Sequence, residues 1–250
     1  EKAIAKGHPY LTVVADLARS RVLYLAKDRK QESLDGFWPT LTRRQRTSSR
    51  AVAMNMWEPY RQSTQAALPA AETKNVFDKF HVIAHASTAV DKMRRAEQKT
   101  DPALKGLRWA LLKDRSRLSA NQSADLDALI AHVTTKRTAK AWLYREQLRE
   151  ILDRKQINVV STLLWQWCTN VMRSKVEPMK EVARMIRAHF EGIVAWAQTR
   201  QTNGFLEALN GLFQAAKRRA RGYTNINTMR TVIFLIAGKL NFQKLNPHAA

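Results

Sequence analysis

The N-terminal part of the chain carries short hydrophobic runs separated by turn residues. Residues 10–17 and 21–27 are rich in β-formers and flank a short polar turn, so they predict an antiparallel hairpin. Residues 31–47 place apolar side chains at helical spacing before the segment becomes strongly basic, which predicts a helix. The chain is therefore expected to begin with two strands and a helix.

Two further apolar runs predict strands that are buried on both faces. They are residues 51–56 and roughly 74–77. Between them, residues 58–68 have helical spacing and are followed by Pro69, which ends a helix. These strands imply a mixed sheet with helices packed on its faces, which is an α/β fold.

Helical spacing continues from residue 79 to about residue 240. We expect residues 1–90 to form the first part of a sheet domain, residues 91–200 to form an all-helical insertion, and residues 201–250 to complete the domain. Because a two-stranded hairpin is only marginally stable alone, we also expect a further strand in front of Glu1.

Composition and charge restrict the class of protein. The 250 residues include 43 Lys and Arg but only 21 Asp and Glu, a formal net charge of +22, and 45% are hydrophobic. Such a chain is expected to bury a core and to bind an anionic partner, nucleic acid first and an anionic membrane surface second. The single cysteine, Cys168, excludes an intrachain disulfide framework in this sequence, and no apolar run predicts a membrane span.

One acidic residue is isolated in the basic C-terminal part of the chain. On a helix, Glu207 shares a polar stripe with Asn203, Asn210, Gln214 and Arg218, and the other side is apolar. One interpretation is a solvated face on which Glu207 pairs with a nearby cation. The other is a metal-assisted phosphoryl-transfer site, because a carboxylate beside DNA repels phosphate unless a cation bridges them.

Two polar residues directly follow the predicted buried strands. Asn55 lies at the carboxyl end of the first strand, where ligands gather in open sheets, and Asp78 follows the second. A metal-binding role is one interpretation of both. The alternative is local. Asn55 would then cap the following helix or hydrogen-bond the end of the sheet, and Asp78 would cap the helix that begins at Lys79.

Histidines and tryptophans offer weaker candidates. His81 and His85 are four residues apart on a predicted helix, which is a zinc-binding spacing, but the residues between them supply no general base of the metalloprotease type. The tryptophans of the helical part are interpreted as core residues.

Three basic clusters together predict a surface that contacts the phosphates of DNA. The clusters are Arg43, Arg44 and Arg46, then Lys92, Arg94 and Arg95, and finally Lys217, Arg218, Arg219 and Arg221. One cluster alone would be typical of a solvated face.

Two groups of motifs give the sequence a family resemblance. They are FDKFHV at 77–82 with AVDKMRR at 89–95, and NGFLEALN at 203–210 with KRRARGY at 217–223. With these motifs the chain resembles, over nearly its whole length, the bacterial insertion-sequence transposases of the ISL3 group. The resemblance implies a ribonuclease H-like fold and an Asp-Asp-Glu triad that holds Mg²⁺ or Mn²⁺ for DNA strand cleavage and strand transfer.

The resemblance also implies roles for individual residues. Glu207 is the triad glutamate, Asn55 stands at the position of the second aspartate, and the first aspartate is expected just before Glu1. The expected DNA contacts come from Arg94, Arg95, Lys217, Arg218, Arg219 and Arg221. The implied partner is double-stranded DNA, both transposon ends and target DNA, with a homodimer as one form of assembly. The implied location is the bacterial cytoplasm, at the nucleoid and not at a membrane.

The sequence departs from the family pattern in two respects. The N-terminal zinc-binding and helix-turn-helix segments of the family are absent from it, so we expect weak recognition of specific ends. The amide of Asn55 can coordinate a divalent ion but adds no negative charge to hold two ions together. We therefore expect the chain as written to be inactive. The alternatives are a noncatalytic basic DNA-binding protein derived from a transposase and, less favoured, a metal-dependent nuclease of the same fold.

Overall fold

The computed structural model describes residues 2–3, 10–132, 136–200, 204–223 and 225–240. It combines many helices with small sheets, which confirms a mixed α/β fold in which helix dominates. The ribonuclease H-like arrangement of the strands stays a prediction. No helix among the residues described is long and apolar enough to cross a membrane.

Among the described residues, the strands all lie in the first third of the chain. They are β1 (Lys2–Ala3), β2 (Tyr10–Asp16), β3 (Arg21–Lys27), β4 (Val52–Met54) and β5 (Asn75–Phe77). The helices before and between the later strands are α1 (Gln31–Asp35), α2 (Arg43–Ser48), α3 (Glu58–Ala67) and α4 (Ala71–Lys74).

The rest of the described chain is helical. Its helices are α5 (Lys79–Glu97), α6 (Arg108–Leu112), α7 (Ala120–Ile130), α8 (Arg137–Asp153), α9 (Ile157–Met172), α10 (Glu177–Ala188), α11 (Phe190–Thr199), α12 (Gly204–Arg219) and α13 (Ile226–Ala237). Short 3-10 helices cover Trp38–Thr40, Pro102–Leu104 and Arg115–Arg117.

The predicted hairpin is confirmed. β2 pairs antiparallel with β3, from Leu11 opposite Lys27 to Asp16 opposite Arg21, and β1 adds to the other side of β2. The register shifts between Val14 and Ala15, which leaves Leu23 as an extra residue on β3. This bulge bends the strand locally and accompanies the partial exposure of the Leu23 side chain.

The helix predicted over residues 31–47 is wrong as a single element. The segment divides into α1, a 3-10 turn and α2. Pro39 in the 3-10 turn has no N–H to donate, and the chain before a proline avoids helical geometry. Thr42 then begins α2 with a capping box, in which its hydroxyl accepts from the Gln45 N–H and the Gln45 side chain accepts from the Thr42 N–H.

By the density of internal contacts the chain divides into two compact units. The first contains residues 1–50, 57–71 and 202–250, and the second contains residues 51–56 and 72–201. Helix α5 runs across the predicted start of the helical insertion at residue 91. The predicted domain boundaries stay a prediction.

The core of the first unit joins the hairpin to the C-terminal helices. Its buried members are Leu11, Val22 and Leu25 of the hairpin, Leu209 and Phe213 of α12, and Met229, Ile233 and Ala237 of α13. Helix α12 thus packs one apolar stripe against residues far away in sequence, and this burial orients its polar side.

The second unit is a parallel strand pair with a helical bundle. β4 and β5 are parallel, with Met54 opposite Phe77. Helix α8 is fixed at both ends by side chains from elsewhere in the unit, Glu97 at the end of α5 and Arg200 just after α11. The carboxylate of Glu97 accepts from the N–H groups of Arg137 and Thr138, and the guanidinium of Arg200 donates to the carbonyls of Leu152 and Asp153. These contacts satisfy backbone groups that every helix leaves open at its ends.

Gly192 of α11 allows a close approach to β5, and Gly211 of α12 offers the matched comparison. A Cβ at Gly192 would lie 2.5 Å from the Phe77 ring, whereas a Cβ at Gly211 meets nothing within 4 Å. We expect Gly192→Ala to destabilise the protein by about 1–2 kcal/mol through overpacking. We expect Gly211→Ala to stabilise it by up to about 1 kcal/mol through helix propensity. Thermal unfolding of both variants checks this, and a Gly192→Ala variant as stable as Gly211→Ala would contradict the packing of α11 on β5.

Candidate active site and nucleic-acid interface

The parallel pairing brings Asn55 and Asp78 to the same edge. Met54 ends β4 and Phe77 ends β5, and these two residues are opposite each other in the register. Asn55 and Asp78 therefore each follow directly at the carboxyl end of neighbouring strands, which are about 4.8 Å apart in sheets. This edge is where open sheets bind ligands.

The local interpretation is confirmed for Asp78. Its side chain is 1% exposed and Oδ1 accepts from the Phe80 N–H at 2.9 Å, so Asp78 is the N-cap of α5. The capping interpretation is wrong for Asn55, because the N-cap of α3 is Trp57. Asn55 is partly buried. A hydrogen bond from Asn55 at the end of the sheet, the other form of the local interpretation, stays a prediction.

Glu207 lies on the outward side of α12. The side chains of Leu209 and Phe213 are buried against the hairpin, while Glu207 and Arg218 are exposed. The predicted amphipathic helix is confirmed for these residues, and Asn203 lies outside the described ones. Asn55 and Glu207 belong to different units. A catalytic site that uses both residues stays a prediction.

The residues described do not fit a site for two divalent ions. They contain no group of three or more His, Cys, Asp and Glu side chains that could hold a metal. At the strand edge the side-chain donors are a neutral amide at Asn55 and a carboxylate at Asp78 that already caps α5. Two divalent ions need more negative charge than this pair supplies.

His81 and His85 also fail to form a metal site with a third His, Cys or carboxylate ligand among the described residues. Partial burial lowers the pKa of His85, and the nearby charge of His81 lowers it further. Both effects favour the neutral form of His85.

The C-terminal basic cluster surrounds the end of α12. Arg218, Arg219 and Arg221 are exposed and Lys217 is partly buried. The Gly222 N–H donates to the Lys217 carbonyl at 2.9 Å, while Arg221 has φ 54° and Gly222 has φ 105°. This Schellman-type ending fixes the turn that carries Arg221 just beyond the helix.

Arg94 is not part of an exposed basic surface. It is 7% exposed, and its guanidinium donates to the Asp91 carboxylate at 2.8–2.9 Å and to the Gln98 side chain. Arg95 binds the other oxygen of Asp91 and stays 65% exposed. The burial of Arg94 disfavours its predicted contact with phosphate, whereas the position of Arg95 is compatible with one.

The cluster on α2 is open to solvent. Arg43 and Arg44 are exposed and Arg46 is partly buried. The capping box of Thr42 stabilises the start of α2, the short helix that carries these three basic side chains.

The interpretation of the tryptophans as core residues is wrong for two of them. Trp142, Trp167 and Trp196 are buried, but Trp109 is 55% and Trp165 is 54% exposed. The helical periodicity of α9 predicts the exposure of Trp165. Its buried positions include Leu164, Trp167, Cys168 and Val171, and Trp165 lies off that stripe.

The Asp91 cluster yields a pH-dependent prediction. Burial alone would raise the pKa of Asp91, but the hydrogen bond from Arg94 and the charges of Arg94, Arg95 and Arg108 lower it below its usual value. A carboxyl group with a lowered folded-state pKa stabilises the protein above its unfolded pKa, near pH 4, and loses this contribution as the pH falls through the folded pKa.

We therefore expect Asp91→Asn to cost about 2 kcal/mol at pH 7, since it leaves the buried Arg94 without its carboxylate. Urea unfolding at pH 7, 5 and 3 should show the cost shrinking below about pH 4. Asp127→Asn is the control, because Asp127 pairs with Arg115 where both side chains are 52% exposed. An equal, pH-independent cost for both variants would contradict the assigned role of Asp91.

Comparisons with known proteins place these features in a family. The family model of ISL3 transposases, of the DDE class, matches residues 1–233. The chain is similar to the transposase for insertion sequence element IS1001 of Bordetella parapertussis, with 27% identity over 231 residues that cover 89% of this chain and 56% of that protein. It is also similar to the transposase for insertion sequence element IS1557 of Mycobacterium tuberculosis, with 27% identity over 251 residues that cover 89% of this chain and 55% of that protein.

The chain spans about half the length of the curated relatives that it matches. No solved structure matches it. The family model covers far more than half of the sequence and includes both strands of the parallel pair and the Glu207 helix. This chain belongs to the ISL3 family of transposases.

Proposed function

We propose that this chain is the catalytic core of a DNA transposase whose site, in the sequence as written, lacks the charge needed for strand cleavage. The observation that carries this proposal is the family match together with the neutral Asn55 directly after β4, beside Asp78, which directly follows β5. The intact family chemistry is metal-dependent cleavage of DNA strands and their transfer to a target.

In this proposal Asn55 and Glu207 occupy two of the three triad positions of a ribonuclease H-like core. The third is the aspartate that the family resemblance assigns to the segment before Glu1. Mg²⁺ or Mn²⁺ would supply activation of the attacking oxygen and stabilisation of the leaving oxygen. Of the two triad positions present in this sequence, only position 207 carries a carboxylate. We therefore expect the chain to bind such ions weakly.

The DNA partner is supported by charge. Lys217, Arg218, Arg219 and Arg221 surround the end of α12, on the same helix as Glu207, and are assigned to phosphate contacts. Arg95, in the other unit, is an exposed cation that is also assigned to a phosphate contact, while Arg94 pairs with Asp91 within the fold. The same proposal includes transposon ends and target DNA as partners, assembly as a homodimer, and a location at the bacterial nucleoid.

A noncatalytic DNA-binding protein derived from a transposase is the second candidate. The observation that favours it is the absence of a carboxylate at position 55, since Asp78 is committed to capping α5. Both candidates bind DNA, so only an assay of strand cleavage separates them.

DNA binding should be nonspecific and steeply dependent on salt. Each phosphate neutralised by a basic side chain contributes a slope of roughly −0.9 in log K against log salt. We expect the double change Arg218→Gln and Arg219→Gln to reduce the magnitude of the slope by about 2. Fluorescence anisotropy of a labelled blunt duplex at several salt concentrations measures this.

The matched control for this titration is the double change Arg115→Gln and Arg184→Gln. These exposed arginines already pair with Asp127 and Glu177. The control should leave the slope nearly unchanged. Binding by the unmodified chain that does not depend on salt would overturn the proposed phosphate surface.

Cleavage should require a carboxylate at position 55. We expect no Mg²⁺- or Mn²⁺-dependent cleavage of transposon-end DNA by the chain as written. In a chain extended by the family segment before Glu1, Asn55→Asp should create cleavage, and adding Glu207→Gln should abolish it, because each change alters the charge that holds the ions.

Glu181→Gln in the same extended background is the control, since Glu181 is an exposed carboxylate paired with Lys92. It should leave cleavage intact. Gel analysis of end-labelled DNA reports each outcome. Strong cleavage by the unmodified chain would show that position 55 is not the second ligand, and Asp78 would be the first residue to test in its place.

A further inference from the structure

Trp165 forms an exposed aromatic platform with two neighbours. It lies on α9 and is 54% exposed. The ring of Phe190 meets it edge to face, with centroids 5.7 Å apart and an angle of 87°. The guanidinium carbon of Arg187 lies 5.3 Å from the Trp165 ring centroid. We call Trp165, Phe190 and Arg187 the Trp165 platform.

The platform is held in place from within the unit. An Arg187 N–H donates to the Thr169 hydroxyl at 3.3 Å, one turn beyond Trp165 on α9. His189, next to Phe190, packs edge to face on Phe77 of β5 with centroids 5.1 Å apart. The position of Phe190 is therefore tied to β5 through its neighbour His189, and Phe190 in turn supports the Trp165 ring.

Trp165 differs from the other exposed aromatic residues of this unit in its charge environment. Phe80 and Trp109 also have a cation over the ring, Lys79 and Arg108 respectively. Lys79 is ion-paired with Asp153, and Arg108 lies 3.9 Å from a carboxylate oxygen of Asp91.

Arg187, by contrast, has no ion pair within the described part of the chain. No described carboxylate lies close enough to its guanidinium to form an ion pair. An anion that approaches this ring is therefore attracted, whereas carboxylates lie next to the cations at Phe80 and Trp109.

The surface around Trp165 carries no charge of its own helix. All sixteen residues of α9 are uncharged, in a chain in which 26% of residues are charged. Thr162 lies three residues before Trp165 on α9, is exposed and provides a hydrogen-bonding hydroxyl on the same side of the helix. Aromatic stacking with an arginine beside it and neutral polar groups around it is the chemistry that binds unpaired bases.

We propose that the Trp165 platform stacks an unpaired nucleobase of the DNA that this chain binds. The proposal rests on the proposed function for its DNA partner and adds a class of substrate structure, namely a base outside the duplex stack. DNA is favoured over a second copy of the chain as the occupant, because each copy carries a formal charge of +22 and two copies repel each other.

The test compares two overhang duplexes that differ only in their bases. One carries a short single-stranded thymidine overhang, and the other has the same overhang built from abasic nucleotides with equal phosphate charge. A blunt duplex measures binding that needs no unpaired base. Fluorescence anisotropy gives the dissociation constant for each DNA with the full chain and its variants.

The unmodified chain should bind the thymidine overhang about tenfold more tightly than the abasic overhang, because stacking of one base on an aromatic side chain is of this size. Trp165→Ala should remove most of this preference while binding to the blunt duplex stays unchanged. Trp165→Phe should keep part of it, and Arg187→Gln should reduce it.

Trp109→Ala is the matched control, since Trp109 is an equally exposed tryptophan of the same unit beside an acid. It should leave the preference intact. Retained preference in Trp165→Ala, or equal loss in Trp109→Ala, would overturn the platform while leaving duplex binding as evidence for the proposed function.

Failure of the unmodified chain to bind any of the DNAs would instead contradict the proposed function. A concentration-dependent dimer that Trp165→Ala abolishes without an effect on DNA would assign the surface to self-association and overturn the proposal.

Discussion

The parallel hydrogen bonding of β4 to β5 is the constraint on which the candidate site depends. It sets Met54 opposite Phe77 and so places Asn55 and Asp78 side by side at one edge. Strand β5 also packs against α11, because Gly192 lets this helix lie against the Phe77 ring and His189 packs on that ring as well. Asp78 then caps α5 from the end of the strand. Packing on Phe77 and the cap at Asp78 thus fix the β5 side of this edge.

Buried and exposed arginines have different partners in this protein. Arg145 is fully buried and donates to the Leu111 carbonyl and to Glu146, and Arg94 is held by Asp91 and Gln98. These cations stabilise the fold and contribute little to an anionic partner. The exposed cations near the end of α12, and Arg187 beside Trp165, have a different environment, since carboxylates do not pair with Arg187, Arg218 or Arg219 among the described residues. A high net charge therefore does not by itself identify which basic residues contact DNA.

Sequence patterns correctly predicted the elements that are determined by residues close together in the chain. The hairpin, the helix that ends before Pro69 and the N-cap at Asp78 each depend on residues within a few positions, and the structure confirms them. The single helix over 31–47 was wrong because Pro39 and the Thr42 capping box interrupt it. The burial of Arg94 and the exposure of Trp165 could not be predicted from charge or composition, because both depend on which face of a helix meets its neighbours. The relation of Asn55 to Glu207 depends on contacts between distant segments, which a local pattern does not contain.

In the function proposed for this chain, a metal ion binds at the strand edge beside Asn55, and position 55 lacks the charge that holds it. Calorimetric titration of the full chain with Mn²⁺, before and after Asn55→Asp, tests it most directly. A carboxylate added next to Asp78 should tighten Mn²⁺ binding at least about tenfold, because hard divalent cations prefer charged oxygen ligands. Asn55→Ala should bind no better than the unmodified chain. Equal Mn²⁺ affinity in Asn55→Asp and the unmodified chain would contradict the account.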